Sequence, residues 1–143
     1  MNPRRVAGAL ALAVLLGGVG EPAWGLSRAE FVKAANAICK KAEDDGTAAI
    51  LKLKIDTTSQ PTPATYKKIG PIVVSVLTSE LDKLAKLDPP AADKADVKKM
   101  LGFVRAYVAK VKKNPQALAN DETENAAADK IATKLGLANC GSS

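Results

Sequence analysis

DKADVKKMLGFVRAYVAKVKKN, residues 93–114, sets the frame for the whole chain. Val97, Leu101, Val104, Val108 and Val111 recur at four-three-four-three spacing, flanked by Met100, Phe103 and Tyr107. That spacing places them on one side of a helix of 3.6 residues per turn, so the segment is an amphipathic helix with its apolar stripe toward a core. Its charge is lopsided: Lys94, Lys98, Lys99, Arg105, Lys110, Lys112 and Lys113 oppose only Asp93 and Asp96. Lys94, Lys98, Arg105 and Lys112 fall within about 40° of one another around the helix. They are the candidate residues for an anionic surface such as lipid headgroups, a phosphorylated wall polymer or an acidic partner. The same residues also read as a solvated back face that aids solubility.

The same period recurs on both sides. Upstream, Ser27 and Glu30 form an S-x-x-E capping box before Phe31, Ala35, Ile38, Ala42, Ala49 and Leu53, with one turn skipped at Gly46. The end of that segment, ILKLKI, alternates like a strand, but with no partner strand elsewhere the helix is expected to run on. After the loop DTTSQPTP, Thr62 and Pro63 read as N-cap and first helical residue. The apolar face that follows is Tyr66, Ile69, Val73, Val76, Leu77, Leu84 and Leu87, with Gly70-Pro71 inside it, where a kink or short break is expected. DPPAAD then stops the helix. Downstream, PQALAN reads as a turn and Asp121 with Glu124 as a D-x-x-E cap. Ala128, Ile131, Ala132 and Leu135 share a face, and Gly136 suits a left-handed helix end. Leu137 is expected to fold back over that last turn.

Glu80 breaks the pattern of its helix. It falls in the middle of the apolar face, between Val76 and Leu84. A buried carboxylate must find a partner, neutralise or reach water. Glu80 is therefore either the polar contact of a pocket or a structural glutamate that snorkels or pairs.

The chain begins with Arg4 and Arg5, a 14-residue uncharged apolar stretch at 6–19, and Ala23-Trp24-Gly25. These are the parts of an export signal cut before Leu26; a bilayer-spanning helix needs roughly 20 apolar residues. The expected organisation is a signal peptide at 1–25 and one helical domain at 26–143, with no transmembrane segment after cleavage. The location is secreted or cell-envelope. The arginine pair only faintly resembles a twin-arginine signal. The full chain has 21 basic and 15 acidic residues; removing Arg4, Arg5 and Glu21 leaves 19 and 14, a net +5. Aromatic side chains are few, so alanine, valine and leucine must carry the packing.

Export changes how the two cysteines read. Cys39 and Cys140, with no others, imply one disulfide. The bond would tie the end of the last helix to the first. Short loops then favour an all-α, up-down-up-down four-helix bundle closed by that bond, with the first and last helices adjacent.

The chain contains no histidine. Ser-His-Asp and Cys-His catalysis, histidine-based zinc or copper sites and CxxCH haem attachment are thereby removed. There is no GxGxxG or P-loop, and EDDG at 43–46 does not match an EF-hand. Spacing alone leaves open a carboxylate pair for glycoside hydrolysis, but few aromatics offer a sugar little to stack on. No catalytic residue, metal or cofactor is assigned, and the chain is expected not to be an enzyme. Nucleic acid is not expected as a partner, since aromatics are not interleaved with the basic residues.

SRAEFVKAANAICKKAE resembles the mature start of small secreted or lipoprotein helical proteins of actinobacteria, whose pattern is [ST]-[KR]-x-E-[FY]-x-x-x-A-[ND]-x-[IL]-C. Ser27, Arg28, Glu30, Phe31, Ala35, Asn36, Ile38 and Cys39 match it. LDKLAKLDPP, through Leu84, Leu87, Pro89 and Pro90, and the ending LGLANCG extend the resemblance. Leu135 stands where those proteins usually have tyrosine, and the lipidation cysteine of the lipoprotein members is missing. The resemblance implies a helical, disulfide-closed exported protein of unknown function. The functional expectations are, first, a binding module that presents the basic helix to an anionic envelope component. The alternatives are a carrier of a small apolar ligand held between helices near Glu80, and a secreted inhibitor or interaction domain with an unidentified protein partner.

Overall fold

The computed structural model describes residues 25–55 and 60–141, with the backbone alone at 121–124. The expected signal peptide lies outside the described residues, apart from Gly25. The described residues are all-helical, with four α-helices: α1 (Arg28–Lys52), α2 (Pro63–Leu84), α3 (Lys94–Lys113) and α4 (Asp121–Leu135). A 3₁₀ helix, Pro115–Asn120, joins α3 to α4 where the sequence suggested a turn.

Local chemistry sets most of the helix ends. Ser27 closes a full capping box on α1: its hydroxyl accepts from the Glu30 N–H, and its own N–H donates to the Glu30 carboxylate at 2.9 Å. Those hydrogen bonds hold the Glu30 carboxyl below its ordinary range. Thr62 and Thr65 make the equivalent box on α2 ahead of Pro63. At the end of α4, Gly136 takes the left-handed conformation at φ 80°, and the Leu137 N–H reaches back to the Ala132 carbonyl at 2.8 Å. Leu137 is thereby turned inward and is 1% exposed.

Three expectations about the helices are corrected. First, α1 does not run on through ILKLKI. It ends at Lys52, and Lys54 takes a left-handed φ of 49° while Leu51 and Leu53 stay exposed. Among the described residues nothing packs over Leu51 and Leu53, so the helix has little to continue against there. Second, of the kink or short break expected at Gly70-Pro71, the break is absent: α2 is continuous from Pro63 to Leu84. Gly70 is buried because Pro115 packs on it: a Cβ there would stand 2.9 Å from the Pro115 Cβ. The glycine permits a close crossing, and the proline ring faces outward. Third, α4 is not capped by Asp121, which is already helical; Asn120 holds the N-cap position without a side-chain bond.

Helices consecutive in sequence pack together: α1 with α2, α2 with α3, and α3 with α4. The main core draws Phe31, Ala35 and Cys39 from α1, Leu81 and Leu84 from α2, and Val97, Met100 and Leu101 from α3. Ala128, Ala132, Leu135 and Leu137 complete it from α4 and the tail. A smaller cluster of Tyr107, Val111 and Ala117, with Val74, Leu77 and Leu118 against it, sits under the 3₁₀ helix. The expected adjacency of α1 and α4 holds only locally. Their backbones do not run side by side; α1 meets the last turn of α4 and the tail beyond it.

Two polar contacts brace the packed end. Asp93, 7% exposed, faces the Arg28 guanidinium at 3.4 Å, and Lys134 reaches Asp96 at 2.7 Å. Both cations are largely exposed, so each pair contributes under about 1 kcal/mol. Among the described residues no helix is long and apolar enough to cross a membrane.

Candidate functional site

The expected disulfide is present. Cys39 and Cys140 are bonded at 2.03 Å, with their Cα atoms 5.1 Å apart across a separation of 101 residues. Asn36, one turn before Cys39, secures the same tail. Its side-chain carbonyl accepts from the Asn139 N–H at 3.0 Å, and its amide donates to the Gly136 carbonyl at 3.3 Å. The Asn139 side-chain amide also donates to the Asn36 backbone carbonyl at 3.4 Å, so residues 136–140 are clamped to α1 by a covalent bond, three hydrogen bonds and the buried Leu137.

Beyond this clamp α1 and α4 part, and a cavity of about 670 Å³ opens between them. One wall is α1 from Cys39 through Ala42, Gly46 and Ile50. The floor is α2, through Ile72, Val73, Val76, Leu77 and Glu80. Val104 and Tyr107 of α3, Leu118 of the connecting 3₁₀ helix, and Asn125, Ala128 and Asp129 of α4 form the far side. Ala138 to Gly141 closes one end. The size falls within the roughly 300–1,000 Å³ of small-molecule sites, which pair an apolar lining with a few placed polar groups.

The lining follows from the sequence pattern of α2. A helix carrying Val73, Val76, Leu77 and Leu84 on one face turns that face inward, and Glu80 must go with it. The main core takes Leu81 and Leu84, so the half-buried Ile72, Val73, Val76 and Leu77 are left to face the opening. Glu80 lies at the boundary between the two. Burial pushes its carboxyl up to about 7, against the opposing pull of the Lys83 ammonium.

The structure brings together three residues that are far apart in sequence. A carboxylate oxygen of Glu80 and the sulfurs of Cys39 and Cys140 all lie within 4.8 Å of one another. With the sulfurs bonded to each other, neither is a thiolate, so the trio is not a metal-ligand set in this state. Its effect is steric and dielectric. The disulfide is an apolar, immobile wall beside the carboxylate, and it helps to keep water away from it.

The basic candidates lie elsewhere. Lys94, Lys98, Arg105 and Lys112 are all exposed on α3. Lys94 is engaged with Asp88 at 2.8 Å, so the row is reduced to three. None of the four lines the cavity. A smaller hollow of about 400 Å³ at Pro63, Tyr66, Lys110 and Asn114 holds no carboxylate among the described residues.

Sequence reasoning found Glu80 and the disulfide but did not place them side by side, and it did not find Tyr107, Asn125 or Asp129. Tyr107 carried a usable signal: a phenol on an otherwise aliphatic helix face needs a polar outlet. Asp129 carried none, because its position beside Ala128 looks like any solvated flank. No protein-family model, curated protein or solved structure matches the chain.

Proposed function

We propose that the chain is an exported, non-enzymatic carrier that holds one small apolar molecule in the cavity beside Glu80. The observation that carries this reading is the cavity itself, with the Glu80 carboxylate seated at the end of a row of aliphatic side chains of α2. A structural glutamate would snorkel to water or pair with a lysine. Glu80 forms no lysine ion pair among the described residues, and its half-burial in the cavity wall raises its pKa. Burying apolar ligand surface against these walls supplies about 0.8 kcal/mol per methylene, which is ample for a lipid-like guest.

The cysteine pair supports export, because such bonds persist in oxidising compartments. On this reading the chain belongs with the small secreted helical proteins whose ends it resembles, and residues 1–25 are its signal. We read the helices as alternating up and down. In support, the main core gathers the first turns of α1 and α3 with the last turns of α2 and α4. The basic face of α3 is then a solvated exterior. The anionic-surface alternative loses support because Lys94 is paired and no concave site gathers the remaining cations.

Native mass spectrometry tests the carrier reading. The full sequence is expressed with export to an oxidising compartment and purified without detergent. The expected result is an added mass that denaturation releases, or stoichiometric uptake of dodecanol when it is offered. A bare chain that takes up no dodecanol overturns the proposal.

A further inference from the structure

We infer that the guest is an amphiphile carrying one protonated amine, with an alkyl or terpenoid body among the aliphatic walls and its ammonium on the Glu80 carboxylate. This rests on the carrier reading and adds the chemical class of the ligand.

The argument is one of charge complementarity inside the cavity. The full chain is basic, at +6, yet the cavity is not. Its charged lining residues are Glu80 of α2, Lys40 and Glu43 of α1, and Asp129 of α4. Tyr107 of α3 and Asn125 of α4 add neutral polar groups, and the disulfide closes the end. Lys83, on the same helix as Glu80, is exposed and does not line the cavity. Among the described residues the only lining cation is Lys40, and its ammonium is held by Asp44, with Glu43 at 3.9 Å on its other side. Those exposed contacts draw the lysine along the surface of α1 rather than over Glu80. A guest carboxylate or phosphate would meet Glu80 across the cavity, while the Lys83 ammonium acts on that carboxylate only from outside the lining. A neutral guest leaves the carboxyl half-satisfied. An ammonium supplies the missing counter-charge in a low-dielectric setting, where an ion pair is worth more than in water.

A proton linkage follows. Burial raises the Glu80 carboxyl to about 7, so below that pH amine binding ionises it and releases a proton. Amine affinity should therefore rise by about tenfold from pH 6 to pH 8, while the amine itself stays protonated. Dodecanol, which favours the neutral carboxyl, should bind no better at pH 8 than at pH 6.

The experiment is calorimetric titration of the full exported chain with dodecylamine, dodecanol and dodecanoate below their micellar concentrations, at pH 6, 7 and 8. The expected order at pH 8 is dodecylamine at least tenfold tighter than dodecanol, with dodecanoate weakest. Glu80→Gln should bring amine and alcohol within about twofold and remove the pH dependence. Its melting curve verifies that the variant is folded, and Lys98→Glu, remote from the cavity, should leave all three affinities unchanged. Dodecanol binding without amine preference, or amine preference that survives in Glu80→Gln, overturns this inference and leaves the carrier reading standing. No binding of any of the three overturns both.

Discussion

The two ends of α1 and α2 follow the same periodic rule and reach different outcomes. At the end where α1 begins and α2 finishes, Phe31, Ala35, Leu81 and Leu84 are almost fully buried. At the other end, Gly46, Ala49, Ile50, Ile72, Val73 and Val76 present the same kind of face and remain half-buried. The difference lies in what closes each end. The tail, with Leu137 and Cys140, seals the first against α3 and α4. At the second the 3₁₀ helix covers Val74 and Leu77 of α2, but among the described residues no tail closes the side between α1 and α4, so the apolar side chains there line a cavity instead of a core. An apolar stripe alone thus specifies which side turns inward, and the number of elements meeting there decides whether the inside is filled.

Truncating one side chain at each end gives the sharpest test of that contrast. Phe31→Ala should cost about 3–5 kcal/mol in urea denaturation, because a sealed core cannot collapse around the void. Ile72→Ala should cost under about 2 kcal/mol, since its side chain already borders open space. Equal losses would mean that the two ends are equally packed.

Breaking the clamp comes next. Cys39→Ala with Cys140→Ala should lower stability by about 2–5 kcal/mol. It should also reduce dodecanol binding, since residues 138–141 form a wall of the cavity. A variant that unfolds at the same urea concentration as the parent would show that Leu137 and the Asn36 hydrogen bonds hold the tail unaided.

Glu80 distinguishes the two regions by pH. Its carboxyl titrates higher in the folded chain, near 7, than in the unfolded one, near 4.5. A raised acid pKa means that the folded state binds the extra proton between those values. The contribution is present below the unfolded pKa and is lost as pH rises through the folded pKa. Stability should therefore fall by about 1–3 kcal/mol from pH 4.5 to pH 8 through this group. Glu80→Gln should flatten that part of the profile, and a parallel slope in the variant would assign the pH dependence elsewhere.

The smallest effects concern two helical glycines. Gly102→Ala meets open space and should stabilise by about 0.5–1 kcal/mol through helix propensity. Gly70→Ala drives a methyl into Pro115, and the overlap should outweigh the same gain, giving a net loss of about 1 kcal/mol. Thermal melts of the pair check the opposite signs.

Much of this was legible beforehand because it depends on near neighbours in the chain. The Ser27–Glu30 box, the Thr62-Pro63 start and the Gly136 stop each need only a few consecutive residues. The length of α1 was misjudged for a related reason. Residues 50–55 have helical and strand patterns that balance, and only the absence of a packing partner ends the helix at Lys52. The helix continues past Gly70-Pro71 because the missing proline N–H costs one hydrogen bond, while the close approach of Pro115 is gained. Neither contact partner is near in sequence.

By itself, the sequence determined an all-helical chain, one disulfide between Cys39 and Cys140, and a carboxylate at an apolar position of α2. These follow from periodicity, cysteine count and the geometry of 3.6 residues per turn. Only the tertiary structure decided that α1 and α4 meet at one end and part at the other. It alone set Glu80 beside the disulfide at the edge of the resulting cavity. The reason is physical. A helix face records which residues avoid water, but the space between helices depends on where distant segments cross, and that is fixed only when the tail, the 3₁₀ helix and Gly70 come together.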